Sequence, residues 1–174
     1  LLVSFYNPTP SKFKILIEST TFPSDIYAIK SQLRFHGIDP EEGLLMLKPK
    51  EGNDFIEKTD IDEMLQTHGN EIAVILLGGV NYYSGQFFDL EYICRKGHEY
   101  GCIVGFDLAH GAGNIEPNLH EIGADFALWC TYKYLNSGPG ALSGIFIHEK
   151  HHHWNNKPRF EGWWGTNKAN RFKM

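Results

Sequence analysis

The sequence predicts an α/β layered domain: a mainly parallel sheet with helices on both faces. Three observations point there. Strand-like apolar runs alternate along the chain with segments of helical spacing, the pattern of repeated strand–helix units. The runs themselves, such as Ile72-Ala73-Val74-Ile75-Leu76-Leu77, are apolar throughout, too uniform for a sheet wetted on one face. Gly78, Asp107 and Lys133 each fall where a strand pattern runs out, and in such sheets ligands gather outside the carboxyl ends of strands.

Each element has its own justification. Leu1 to Tyr6 suits the tail of a buried helix or a strand, and Asn7-Pro8-Thr9-Pro10 breaks it. Phe13 to Glu18 is a strand with an apolar excess. Ser19 to Asp25 leads into a helix through Ile26, Ile29 and Leu33 that stops at Gly37, with Ser24 or Asp25 as the N-cap. Leu44 to Leu47 is a short strand ended by Pro49. Thr59 to Leu65 reads as a short helix with acids in its first turn, where the helix dipole favours them. Glu71 to Leu77 is a central strand closed by Gly78-Gly79. Val80 to Gln86 is a loop and Asp89 to Tyr100 a helix with Leu90, Ile93 and Cys94 on one side. Strand Cys102 to Phe106, a short helix from Asn118 to Ile122 ended by Gly123, and strand Asp125 to Cys130 follow. After the turn Ser137-Gly138-Pro139-Gly140 comes one more strand pattern, Ser143 to Ile147.

The bulk composition narrows the function. The chain has 174 residues, the size of about one domain. Its net charge of −5 without a basic block argues against nucleic acid as the main partner. No apolar run approaches a membrane span, and no secretory signal opens the chain. Cys94, Cys102 and Cys130 form no CxxC, which suggests reduced thiols in an intracellular, cytoplasmic protein. The chain begins inside an apolar element without a methionine and closes without a stop signal, so a piece of a longer protein is expected. His148 and His151-His152-His153 invite a metal reading, but adjacent histidines point different ways and no acid or cysteine completes a ligand spacing. They read as a solvated loop, with no metal.

The chemistry concentrates in two strings. Lys133 stands in Trp129-Cys130-Thr131-Tyr132-Lys133-Tyr134-Leu135-Asn136, at the end of a buried strand. Taken alone it is an exposed strand-end lysine. A lysine partly withdrawn from water, however, is a nucleophilic amine able to form a Schiff base. Upstream, Gly105-Phe106-Asp107-Leu108-Ala109-His110 places an acid at the end of the preceding strand. A strand ending in an acid, a connecting segment and a strand ending in a lysine is the pattern of a pyridoxal 5'-phosphate enzyme. The aldehyde needs the lysine, and the pyridine nitrogen needs a carboxylate to stay protonated. Phe22-Pro23-Ser24-Asp25 at a helix start reads either as a staple and cap or as an aromatic stacker beside a phosphate-binding helix terminus. Gly162-Trp163-Trp164-Gly165 reads as a packed turn or as a source of indole N–H donors.

With these strings assembled, the chain resembles the kynureninase family, fold type I pyridoxal-phosphate enzymes. The resemblance also covers Tyr27-Ala28-Ile29, Gly79-Val80, Gly85-Gln86, Ile147 to His151 and Arg171 to Met174. It implies that Lys133 carries the cofactor, that Asp107 pairs with its ring nitrogen, and that His110 lies beside it. It further implies that Phe22 stacks on the ring, that Ser24, Tyr132 and Trp163 reach the phosphate, and that Pro23 and Asp25 complete the binding segment. Lys133 and Tyr132 are the implied catalytic pair. The implied reaction is hydrolysis of L-kynurenine, or 3-hydroxykynurenine, to anthranilate, or 3-hydroxyanthranilate, and L-alanine, in a cytoplasmic homodimer. Residues 1–174 then form part of a large cofactor-binding domain, with an N-terminal segment and a C-terminal small domain missing. Gly78 departs from the pattern, because some relatives carry a hydroxyl side chain there. The competing expectations are a truncated, non-catalytic fragment and another pyridoxal-phosphate enzyme of the aminotransferase or cysteine desulfurase kind.

Overall fold

In the computed structural model, residues 1–153 and 157–173 are described. Met174, which ends one of the strings quoted above, lies outside them. A six-stranded sheet carries the chain: β1 (Lys14–Glu18), β2 (Leu44–Leu47), β3 (Ile72–Gly78), β4 (Ile103–Asp107), β5 (Phe126–Cys130) and β6 (Ser143–Ile147), in the order β2-β1-β3-β4-β5-β6. The first five strands are parallel and β6 returns antiparallel to β5. Among the described residues the α-helices are α1 (Leu2–Phe5), α2 (Pro23–Phe35), α3 (Pro40–Gly43), α4 (Lys58–His68) and α5 (Leu90–Glu99).

Side-chain alternation explains why the strands read as unbroken apolar runs. Ile15, Ile17, Val74 and Leu76 turn to one face, against Phe5 of α1 and Ile29 and Leu33 of α2. Leu16, Ile75 and Leu77 turn to the other, against Ile61 and Leu65 of α4 and Leu90 and Ile93 of α5. Both faces are dry, so both sets of positions must be apolar. Gly105 is required for a different reason: a Cβ there would run into the ring of Phe126 on the neighbouring strand.

Three expectations need correction, and one short helix went unread. The Asn118–Ile122 segment is a hydrogen-bonded turn, not a helix; Asn118 at φ 43° and Gly123 at φ +73° bracket it, and the bonds from Ile122, Gly123 and Ala124 N–H to Asn118, His120 and Leu119 close it without continuing. α3 was not anticipated, although Asp39 caps it by accepting from Glu41 N–H ahead of Pro40 at the first helical position. The N-cap of α2 is Phe22, with Pro23 at the first position, so Ser24 and Asp25 fall inside the first turn instead of capping it. The histidine run is not wholly solvated. His151 lies in a 3₁₀ turn, Glu149–His151, with its side chain only 8 % exposed, and bonds Asp125 at 2.7 Å.

Asp125, just before β5, is the most heavily bonded acid of the fold. His151 Nε2 and Lys150 Nζ donate to one oxygen at 2.7 and 2.8 Å, and His98 Nε2 and Val104 N–H to the other at 2.9 and 2.7 Å. Four donors fill the four acceptor positions of a carboxylate. Burial works against its charge, but the bonds from His98, Lys150 and Val104 outweigh that and hold the carboxyl well below the usual range. The cluster ties α5, β4, β5 and the 3₁₀ turn together at the amino end of the strands.

Candidate active site

At the opposite end, the carboxyl ends of β1, β3, β4 and β5 open on one cleft. Its lining includes Glu18, Thr21, Phe22, Asp25, Gly78, Asn81, Tyr82, Asp107, His110 and Lys133. The register puts Gly78 level with Asp107, so the last residues of β3 and β4 stand side by side. The strand order reverses beside β1, whose sequence neighbour β2 lies on one flank and β3 on the other. That reversal is where a parallel sheet opens a crevice for a ligand.

Lys133 is half-buried, three residues past β5. The loop that aims it is shaped by Asn136 in the left-handed region (φ 57°) and by Ser137 N–H returning to the Thr131 carbonyl at 3.1 Å. Lys133 Nζ stands 3.2 Å from His110 Nε2, and His110 Nδ1 stands 3.3 Å from the Tyr134 hydroxyl. An ammonium has only hydrogens to give, so Nε2 accepts and the ring proton belongs on Nδ1, toward Tyr134. Burial first, and then the Lys133 charge, lower the His110 pKa, which agrees with a neutral ring.

The acids form a second group. Asp107 Oδ1 accepts from Ala109 N–H at 2.8 Å, which fixes the carboxyl at the strand end. Asp25 is pushed up to about 7, first by burial, then by neighbouring Asp107, with Glu18 adding and Lys133 opposing. A second carboxyl beside a buried one disfavours the charged form, so the rise on Asp25 fits its place next to Asp107. Phe22, 51 % exposed, meets Tyr82 edge to face at 5.3 Å and offers a flat apolar surface beside the acids.

Not every expected residue converges. Lys133, Asp107, His110, Phe22 and Asp25 line one cleft. Tyr132 stands at its margin: its ring centroid is 6.0 Å from Lys133 Nζ, and neighbouring Cys130 is the first cause of its raised pKa. Pro23 and Ser24 are exposed on the first turn of α2, whose N-cap supplies no side-chain hydrogen bond. Trp163 is apart from the cluster, 65 % exposed, donating its indole N–H to the Arg171 carbonyl at 2.6 Å and meeting Phe172 edge to face. Four polar or aromatic cleft residues went unread in the sequence: Glu18, Thr21, Asn81 and Tyr82. An acid ending Ile15-Leu16-Ile17 was the available signal for the first.

The donor set suits a flat aromatic cofactor bearing an aldehyde. It provides one amine on a mobile stem, a carboxylate fixed at a strand end, a neutral imidazole and an aromatic face. Among the described residues, no group of three His, Cys, Asp or Glu side chains converges as a metal site, and no helix is long and apolar enough to cross a membrane.

Known proteins resemble this chain in sequence and in fold. A family model described as aminotransferase class-V matches residues 48–156. Over all 174 residues the chain is 57 % identical to a kynureninase of Myxococcus xanthus and 52 % identical to a kynureninase of Mus musculus. It spans only 41 % and 37 % of the lengths of those relatives. Among solved structures, a cysteine desulfurase of Escherichia coli superposes with TM-score 0.69 at 16 % identity, over 86 % of this chain and 35 % of the other. A cystine C–S lyase does so with TM-score 0.69 at 17 % identity, over 85 % and 38 %. At such identities these two establish a common fold and nothing finer.

Proposed function

We propose, for a chain that belongs to the aminotransferase class-V family, that it forms the cofactor-binding core of a pyridoxal-phosphate hydrolase. The full-length enzyme would convert L-kynurenine, or its 3-hydroxy form, and water to anthranilate, or 3-hydroxyanthranilate, and L-alanine. The observation that carries this reading is the meeting of Lys133 and Asp107 in one cleft, from the ends of neighbouring strands. The kynureninase relatives at 50–57 % identity supply the substrate class.

Pyridoxal phosphate, when bound, supplies an aldehyde for amines and a ring that accepts the electron pairs released at the substrate's Cα and Cβ. The protein's part is positional and protonic. Lys133 is the amine that would hold the cofactor's aldehyde, and its Nζ would take up the proton released at the substrate's Cα. His110, neutral and accepting at Nε2, keeps that amine aimed into the cleft. Asp107 would offer its carboxylate to the ring nitrogen, and Phe22 would cover the ring face. Ser24 in the uncapped first turn of α2, Tyr132 and Trp163 are assigned to the phosphate, and Pro23 fixes the turn that carries Ser24 and Asp25. Helix N-termini hold anions with their free N–H groups, which supports the first of these. Tyr132 is also the proposed acid for the later proton transfers.

The three cysteines are free, and Cys94 and Cys102 are buried, with thiols pushed up by burial to about 12 and about 11. This favours a reducing compartment, the cytoplasm. The full-length enzyme is proposed to be a homodimer with a further small domain, which light scattering of the purified protein tests. The decisive experiment is anthranilate release from kynurenine by the full-length enzyme, with Lys133→Ala as control. Wild type should turn over and carry a borohydride-reducible adduct on Lys133, and the variant should do neither. A wild type that binds pyridoxal phosphate but leaves kynurenine untouched would move the assignment to the desulfurase or aminotransferase reading.

A further inference from the structure

We propose that Tyr134 is a further positioning residue of this site, acting on Lys133 through His110. Its hydroxyl takes or gives a hydrogen bond at Nδ1, so the imidazole stays bonded to Lys133 Nζ in both the ammonium and the free-amine form. The arrangement itself is independent of the pyridoxal-phosphate reading; its use in the reaction rests on it.

Tyr134 belongs to the string that carries Lys133, yet no step of the proposed reaction uses it. The two residues are consecutive on the loop beyond β5, and both reach one imidazole on the loop beyond β4. Lys133 Nζ stands 3.2 Å from His110 Nε2, and the Tyr134 hydroxyl 3.3 Å from Nδ1, with the two rings edge to face at 5.8 Å. Sequence neighbours therefore hold the imidazole at both of its nitrogens. The backbone keeps the two loops in place. Asn114 Nδ2 donates to the His110 carbonyl at 2.9 Å. At Gly113 the loops come so close that a Cβ would stand 3.1 Å from the Tyr134 carbonyl oxygen. Tyr134 is 46 % exposed, so water reaches its side chain from the outer side.

A neutral imidazole donates at one nitrogen and accepts at the other, whereas a hydroxyl does both. With Lys133 an ammonium, Nε2 accepts from Nζ, the ring proton lies on Nδ1, and the Tyr134 oxygen accepts it. With Lys133 a free amine, Nζ offers a lone pair, the ring proton lies on Nε2, and Nδ1 accepts from the Tyr134 hydroxyl. Between the two states, Nζ–H breaks as Nε2–H forms, and Nδ1–H breaks as its proton passes to the Tyr134 oxygen. The tyrosine's former hydroxyl proton goes to water or hydroxide outside. One proton leaves the amine, and neither ring is left charged. A phenylalanine at 134 would serve the first state poorly and the second not at all. Lys133 needs both forms: a free amine to attack an aldehyde, an ammonium once it has collected a proton. The other titratable groups around the amine are Asp107 from β4, Asp25 from α2, Glu18 from β1 and Tyr132 beside it, with Tyr82 6.5 Å from the imidazole.

The test uses the full-length enzyme freed of cofactor, with isotopically labelled histidine, and reads by NMR which nitrogen of His110 carries the proton. The signal lost in His110→Gln identifies that ring. In wild type the proton should lie on Nδ1 at neutral pH and pass to Nε2 as the pH is raised and Lys133 gives up its charge. Lys133→Met should abolish the passage. Tyr134→Phe keeps the ring and removes the hydroxyl, and should lower the ratio of the Nε2–H to the Nδ1–H form at a given alkaline pH by roughly three- to tenfold, the worth of one hydrogen bond. A tyrosine that merely packs against His110 would leave the ratio unmoved. An unchanged ratio in Tyr134→Phe overturns the proposal. So does a wild-type ring that carries its proton on Nε2 at neutral pH or never moves it, and this measurement decides the matter if Tyr134→Phe does not fold. No cofactor or substrate is present, so failure here leaves kynurenine hydrolysis standing, and failure of hydrolysis leaves this result standing.

Discussion

Replacing Asp125 by alanine tests whether the amino end of the sheet is held as described. The change removes one acceptor from four donors, and their fates differ. Lys150 and His98 have side chains 36 % and 33 % exposed and can turn to water. Val104 N–H is buried within the sheet and the His151 side chain is 8 % exposed, so both lose their partner with little in exchange. A buried donor left unmade costs about 1–3 kcal/mol, so the two together give roughly 4 kcal/mol. That is within the range of about 3–5 kcal/mol for breaking a buried charged cluster from one side. The assay is urea unfolding of the full-length protein at pH 7, variant against wild type, followed by circular dichroism. The sign with pH is fixed. A carboxyl depressed in the folded state contributes fully above its unfolded value of about 3.9 and is lost as the pH falls through its folded value. His151, whose imidazole burial lowers, adds a loss in the same direction once the pH drops below its ordinary value. The difference between variant and wild type should therefore persist down to about pH 4 and shrink only in stronger acid. A penalty under about 1 kcal/mol, the worth of an exposed ion pair, would refute the reasoning.

Two further outcomes follow. Asp25 has its folded value raised, so the cofactor-free protein should lose stability as the pH rises from its ordinary value of 3.8 through about 7. Asp25→Asn should flatten that part of a melting-temperature profile, and an unaltered slope would place the titration elsewhere. Gly105→Ala drives a methyl into the Phe126 ring and should cost about 1–3 kcal/mol by overpacking, measured as a lowered urea midpoint; no change would mean that the two strands separate freely there.

The strands were legible because burial on both faces leaves an unbroken apolar run, and all six strands fall within a residue of their expected bounds. Asp107 and Lys133 were legible for the same reason: a polar residue ending such a run stands out. Glu18 obeys that rule too, but it has no second string beside it, and its partners Gly78 and Asn81 are remote in sequence. The Asp125 cluster was hidden by distance, since His98 and His151 approach it only once α5 and the 3₁₀ turn are packed. His151 in particular sits in a run of three histidines whose neighbours are exposed, and composition cannot say which one turns inward. Hydrophobic spacing missed α3 because a four-residue helix has too few turns to show a period; only Asp39-Pro40 marks it.

The position of β1 also bears on how the chain comes to be made. On the ribosome, β1 and β2 emerge early and can associate, but the other flank of β1 has no mate until residues 72–78 have been synthesised. For that interval Ile15 to Glu18 presents bare amides and greasy side chains to the cell. Nascent-chain survival then depends on how quickly the stretch from Lys58 to Gly78 leaves the exit tunnel, and slow codons placed just before it would lengthen the period of risk.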